Sequence, residues 1–350
     1  LDLTDDQDVL ADVHIGIGGN AKVIRLHTGY TNATISGDVY LLEGTEGYFD
    51  VNVNDSDGVL TISGPITDDG NGPGLDKNGA GTLVLTGENT YGNGDNSRVY
   101  AGTVQVGDGG TSGTLGNGKF LIQNATLALN RSDGVAYAQD LTFAGSSSTM
   151  RAIIGTNEMS GGTENLDVSG LATWTADAGA ELNINENGGS GSNIGLSSNP
   201  TLTLSGAGNG SIDRYIASGG ANALVVKDGT GTWTLNKAYT SANGWTAIGG
   251  EGNVGLVISN GTLAVGATDA LPYGTDRGNI RIESAGTLNL DGADTIIHGL
   301  VGSGTVEITG ATDRTMSVGN YSPGTNTFSG VIQDTGTGVL SVRKRGDAIQ

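Results

Sequence analysis

The side chains of this 350-residue chain that could do acid–base chemistry are 37 carboxylates and three histidines, spread along its length. Carboxylates gather at Asp55, Asp57, Asp68, Asp69 and Asp76, and two of them facing each other across a sugar bond would suit glycan hydrolysis. Nothing in their spacing sets a pair at the ~5–10 Å that such a reaction requires. Turn chemistry accounts for them more simply, because Asp bonds its own neighbouring backbone in tight bends. Asp55-Ser56-Asp57-Gly58 resembles a calcium loop, but Val53 falls on the first ligand position and the bidentate Glu is missing. The histidines are His14, His27 and His298, with no H-E-x-x-H pattern and no local metal spacing. There is neither a G-x-S-x-G elbow nor a G-D-S-G motif to activate a serine. The absence of cysteine removes disulfides, thiolate nucleophiles and Cys-based zinc sites together. No catalytic, cofactor-binding or metal-ligating residue is therefore assigned, and no cofactor is expected.

Charge narrows the partners. With 16 basic against 37 acidic residues the chain carries −21, which disfavours nucleic acid, whose phosphates need clustered Lys and Arg. No apolar run approaches the ~18 residues of a membrane span, so no direct membrane insertion by this segment is expected. The opening residues LDLTDDQD lack the basic start of an export signal.

The elements that would position any site read as β throughout. Glycine makes up 63 of 350 residues and helical periodicity is nearly absent. Short alternating segments recur between Gly, Asn and Asp, among them Val59–Ser63, Thr82–Thr86, Thr103–Val106, Ala125–Leu129, Thr232–Leu235, Thr262–Val265, Thr287–Leu290 and Thr305–Ile308. Most begin Gly-Thr, and neighbouring copies recur at about 18–30 residues, the length of one solenoid coil and not of a sandwich hairpin. Parallel coils would stack equivalent side chains, placing Leu83, Val104 and Leu127 in one interior column. The glycine before each strand would supply a positive φ or a close backbone approach at the corner.

Lys77-Asn78-Gly79-Ala80-Gly81-Thr82-Leu83-Val84-Leu85-Thr86-Gly87-Glu88-Asn89-Thr90-Tyr91, followed by Ala101-Gly102-Thr103-Val104-Gln105-Val106-Gly107, resembles the passenger-associated transport repeat, also called the autotransporter-associated β-strand repeat. Repeat-like segments are placed at 77–107, 227–266 and 328–346. In the second, Trp233 replaces the usual Leu and the Asn of the N-T-Y element is missing. In the third, Lys344-Arg345-Gly346 falls at the K-x-G position, and the expectation is a segment of a longer protein. The resemblance implies a right-handed parallel β-helix, a β-solenoid, taken as one continuous passenger segment over 1–350 and lying outside the cell or on a bacterial cell surface. The family's translocator barrel is not in these residues.

Tyr91 and Tyr239 are expected to close corresponding repeat elements and, with Trp233 and Trp245, to brace coil corners in preference to forming a sugar-stacking platform. Arg345-Gly346-Asp347 spells a tripeptide that some adhesins present to integrins, but Gly346 already has a repeat explanation. The function that follows is a non-enzymatic adhesin or structural stalk. Its partners would be a host cell, matrix or glycan ligand, or further copies of the chain. A polysaccharide-active β-helix enzyme and a self-assembling filament or surface-layer subunit are the alternatives.

Overall fold

The structure is a computed structural model. It describes residues 1–350 except 5–6, 16–22, 43–47, 71, 93–95, 134–135, 161–165, 187–192, 219–221, 240–244, 246–247, 250–252, 275–276, 320–324 and 347–350. Every regular element among the described residues is a β-strand. The chain divides into two compact units, Leu1–Gly162 and Thr163–Gln350. Each is a parallel β-solenoid.

In the first unit, one sheet stacks Asp2–Leu3, Val23–Leu26, Tyr48–Val53, Gly74–Asn78, Ser97–Val99, Phe120–Gln123 and Leu141–Ala144. A second stacks Gln7–Val9, Asn32–Ile35, Val59–Ile62, Thr82–Leu85, Thr103–Val106, Thr126–Asn130 and Ser148–Ile154. All these neighbours are parallel, so each backbone ladder is completed by the coil before and the coil after. The expected interior column is present: Leu83 pairs with Val104 and Val104 with Leu127, and all three are fully buried. Coil length varies from level to level, being shorter between the stacked partners Leu85 and Val106 than between Asn32 and Val59.

The second unit repeats the plan with more variable coils. Leu288 and Val306 are stacked partners joined by a short coil, whereas a far longer one joins Val225 to Leu256. Two long strands, Val254–Val265 and Asn279–Asn289, each run through two ladders and absorb the bend at register shifts, one of them between Ile258 and Asn260. Such a local mismatch kinks a strand without ending it. Trp233, the departure from the repeat pattern, lies fully buried in the column Leu182–Gly210–Trp233–Leu263. A Cβ on Gly210 would come within 2.7 Å of the Trp233 ring. A missing side chain on one coil therefore makes room for the oversized one on the next.

The lysines of the repeat are built into the interior. Lys77 occupies the inward column Val51–Lys77–Val99, and Lys227 the column Leu204–Lys227–Ile258; both side chains are fully buried. Lys77 Nζ donates to the carbonyls of Asn78 (2.9 Å), Gly79 (2.8 Å) and Ala101 (3.2 Å). Lys227 Nζ donates to Asp228 (2.8 Å), Gly229 (2.9 Å) and Asn260 (2.9 Å). Three ammonium protons meet three carbonyl oxygens, which offsets the cost of desolvating the charge. Gly79 and Gly229 have φ of 78° and 71°, the left-handed turn of the corner whose carbonyls receive the lysine's protons. The third oxygen belongs to the next coil, immediately before its Gly102 or Gly261, so each lysine pins the start of the following level. Lys344 repeats the first half of this device, donating to the carbonyls of Arg345 and of Gly346, whose φ is 60°. It is exposed, and no third carbonyl meets it among the described residues.

The N-T-Y element also acquires a physical meaning. Asn89 is buried, accepts from the Ile66 N–H (2.8 Å) and donates through Nδ2 to the Thr114 carbonyl (2.7 Å), joining three levels. In the second copy Tyr239 stands where Asn89 does, at the same offset from the lysine, and its hydroxyl accepts from the Ile216 N–H at 3.2 Å. The expected equivalence of Tyr239 with Tyr91 is thus corrected: residue type misaligned them, and the corresponding backbone donor aligns Tyr239 with Asn89. The bracing role holds, since Tyr91, Trp233, Tyr239 and Trp245 are all buried, and the Trp245 indole donates to the Ala270 carbonyl at 2.9 Å.

Candidate binding face

Outward rows of the first unit's sheet are where side chains from distant sequence positions meet. Strands expose alternate residues on one face, and the register aligns Asp50, Asp76, Arg98, Leu121 and Thr142 across five stacked strands. Arg98 grips Asp76 with two parallel hydrogen bonds, Nε to Oδ1 at 2.8 Å and Nη2 to Oδ2 at 2.7 Å. Its guanidinium also lies 3.1 Å from the centroid of the Tyr48 ring and 5.4 Å from that of Tyr100. Planar stacking combined with a bidentate carboxylate contact is a role Lys could not fill.

The electrostatics follow from this packing. Burial pushes the Asp76 carboxyl up, and the Arg98 bonds oppose that shift. Asp50 is also raised, first by burial and then by the charge of Asp76 beside it. The bonds to Asp76 raise Arg98, which stays cationic. Two carboxylates on adjacent strands superficially satisfy the requirement for sugar hydrolysis. Both oxygens of Asp76 are committed to Arg98, however, so it is poorly placed to carry a proton or attack a ring carbon.

Beside this row lies a cleft of about 310 Å³ lined by Tyr48, Asn96, Arg98, Lys119, Leu121 and Thr142, together with Phe120. Lys119 is half-exposed and lies 3.4 Å from Asp140.

The carboxylates singled out in the sequence have different fates. Asp76 sits in the strand Gly74–Asn78 and is buried, not in a solvated turn. Asp55 does serve a bend: its Oδ2 accepts from the Gly29 N–H (2.5 Å) and its carbonyl from the Gly58 N–H (2.9 Å). Asp68 likewise accepts from the N–H groups of Gly70 and Gly92, each at 2.8 Å. Asp57 and Asp69 make no convergent set with these. Among the described residues no group of three or more His, Asp or Glu could hold a metal ion. His14 stacks on Tyr40 with centroids 4.8 Å apart, His27 lies 3.1 Å from Asp2, and His298 is buried with Nδ1 3.0 Å from the Gly274 carbonyl. Of Arg345-Gly346-Asp347, Arg345 and Gly346 supply carbonyls to Lys344, while Asp347 lies outside the described residues.

Tyr48, Arg98 and Lys119 were not singled out by sequence. The signal available was the coil spacing, which sets Asp50, Asp76 and Arg98 on three successive levels. It becomes usable only when the variable coil lengths are known.

The chain is 29% identical over 311 residues to the adhesin BmaC autotransporter of Brucella suis biovar 1 (strain 1330). That alignment covers 85% of this chain and 8% of the relative, so the chain spans a small part of that protein's length. No family model matches the chain, and no solved structure matches it. The repeat resemblance and the sequence match agree: this parallel β-solenoid is similar to part of an autotransporter adhesin, which indicates a cell-surface or extracellular setting.

Proposed function

We propose that the chain acts as a non-enzymatic, adhesin-like surface passenger whose outward rows contact a host cell, matrix or glycan. The observation that carries this reading is the similarity to an autotransporter adhesin across 85% of the chain. Two features support it. Parallel stacking projects equivalent residues of successive coils into long outward rows, a geometry suited to extended contacts. A polar cluster on this face, Asp76–Arg98, spends its acid in fixing a guanidinium.

Display of residues 1–350 on a non-adherent bacterium tests the reading. The expected result is increased attachment to host-cell monolayers or immobilised matrix, with competition by the soluble chain. Attachment unchanged by display, accompanied by polysaccharide turnover by the purified chain, would replace the adhesin with the enzyme.

A further inference from the structure

We propose that the cleft beside Arg98 binds an acidic sugar, with Arg98 and Lys119 taking the carboxylate and Tyr48 and Leu121 meeting the apolar face of the ring. The proposal deepens the adhesin reading and rests on it for its biological role.

Charge is the first argument. In a chain with 37 acidic and 16 basic residues, the charged side chains lining this cleft are Arg98 and Lys119, both cationic. Asp76 and Asp140 lie against them and Asp50 continues the row behind, yet none of the three lines the cleft. Preorganisation is the second. Asp76 takes two of the five N–H bonds of the guanidinium, leaving three donors on a group already held by Asp76 and the Tyr48 ring. A ligand carboxylate would meet a cation whose freedom has already been lost.

Shape selects the class of ligand. The Tyr48 ring reaches across to the Arg98 guanidinium, so from there over Leu121 to Thr142 the cleft crosses two strand steps, about 10 Å at ~4.8 Å per step. That length suits a short run of sugar rings better than one small ion. Apolar surface from Leu121 and Tyr48 alternates with the amide of Asn96 and the hydroxyl of Thr142, matching a ring with C–H faces and hydroxyl edges. An acidic peptide is the competing occupant, and its capture by strand addition would need an unpaired strand edge. This cleft lies on a sheet face whose strands are already paired on both sides.

Ligand-detected NMR on the purified chain provides the test, using a glucuronate-containing tetrasaccharide, sialyl-lactose, the carboxyl-reduced tetrasaccharide and a Glu-rich peptide as probes. At least one acidic sugar is expected to bind about tenfold or more tightly than the carboxyl-reduced form, and which of the two does so identifies a uronate or a sialate source. Lys119→Glu is expected to weaken that binding by about tenfold. Because Arg98→Gln alone would strand Asp76, it is combined with Asp76→Asn, and this pair is expected to abolish binding. Lys119→Glu, at a half-exposed position, serves as the folded variant if the pair does not fold. Equal binding of acidic and reduced sugars, tighter binding of the peptide, no effect of Lys119→Glu, or no binding to any probe overturns the proposal. Display-dependent adhesion without acidic-sugar binding rejects the cleft and leaves the adhesin reading intact. Sugar binding without display-dependent adhesion supports the cleft and rejects the adhesin.

Discussion

The coils that begin at Lys77 and Lys227 meet the same backbone demands with different side chains. Each lysine sits in an aliphatic column and bonds two carbonyls of its own corner and one of the next coil. Past that point they diverge: Leu83 becomes Trp233, accommodated by Gly210, and Asn89 becomes Tyr239, whose hydroxyl meets the equivalent N–H. What the repeat preserves is a set of donors and acceptors at fixed levels, and side-chain identity is held only where one chemistry can satisfy them. A compact cation with three donors has no ready substitute there. Lys344 shows the same corner with two of its three partners in place.

The largest expected effect breaks the shared feature. Lys77→Met or Lys227→Met keeps the apolar stem but strips donors from three carbonyls, at a cost of about 2–4 kcal/mol in either unit. Lys344→Met, at an exposed site, should change stability by less than about 0.5 kcal/mol. Denaturation midpoints together with hydrogen exchange across Thr103–Val106 and Thr262–Val265 check this, and equal losses at all three positions would remove the clamp from the explanation.

The next test addresses the divergence at the column. Gly210→Leu drives a side chain into the Trp233 ring and should cost about 1–3 kcal/mol. Adding Trp233→Leu should recover part of that loss, because the column then becomes uniformly aliphatic. Additive losses measured by thermal unfolding would contradict the compensation.

Asn89→Ala removes bonds to both adjoining levels, whereas Tyr239→Phe removes only a hydroxyl. Costs of about 2 and about 1 kcal/mol are expected, in that order. The reverse order, read from urea midpoints, would undo the equivalence.

The smallest effect concerns pH. Burial pushes the pKa values of Lys77 and Lys227 down to about 8 from 10.5. Above pH 8 the unfolded lysines still bind protons that the folded ones have released, so stability attributable to them rises with pH up to about 10. The gap between the native chain and Lys77→Met should therefore widen over that range, and a narrowing gap would reverse the sign. At the acid end Asp291 contributes with the same sign, since its pKa too is depressed. Burial works to raise it, but bonds from Thr309, Gly310 and Asn289 hold its carboxyl at about 2, so its contribution is present above about pH 4 and fades toward pH 2.

The ladder itself was legible in the sequence, because Gly-Thr followed by alternation fixes both where a strand starts and which side chains turn inward. Leu83, Val104 and Leu127 stand where that rule puts them. The role of Lys77 was not, since a cation in a Gly-rich stretch reads as a surface residue until three carbonyls are found around it. Asp76 was legible as a carboxylate but not as a strand residue. Its partner Arg98 comes from another coil, and the intervening loop has no fixed length. Tyr239 misled because a matching letter outweighed a matching offset.

A final consequence comes from the unequal coils. The chain travels much further between Val225 and Leu256 than between Leu288 and Val306, yet both excursions return it to parallel pairing. The longer excursion leaves the parallel pairing at its two ends intact and places Trp245 and Ile248 in the buried interior. A coil of this scaffold can therefore lengthen or shorten while its ladder neighbours keep their partners, so chains sharing the same spine can come to present unrelated surfaces to what they touch.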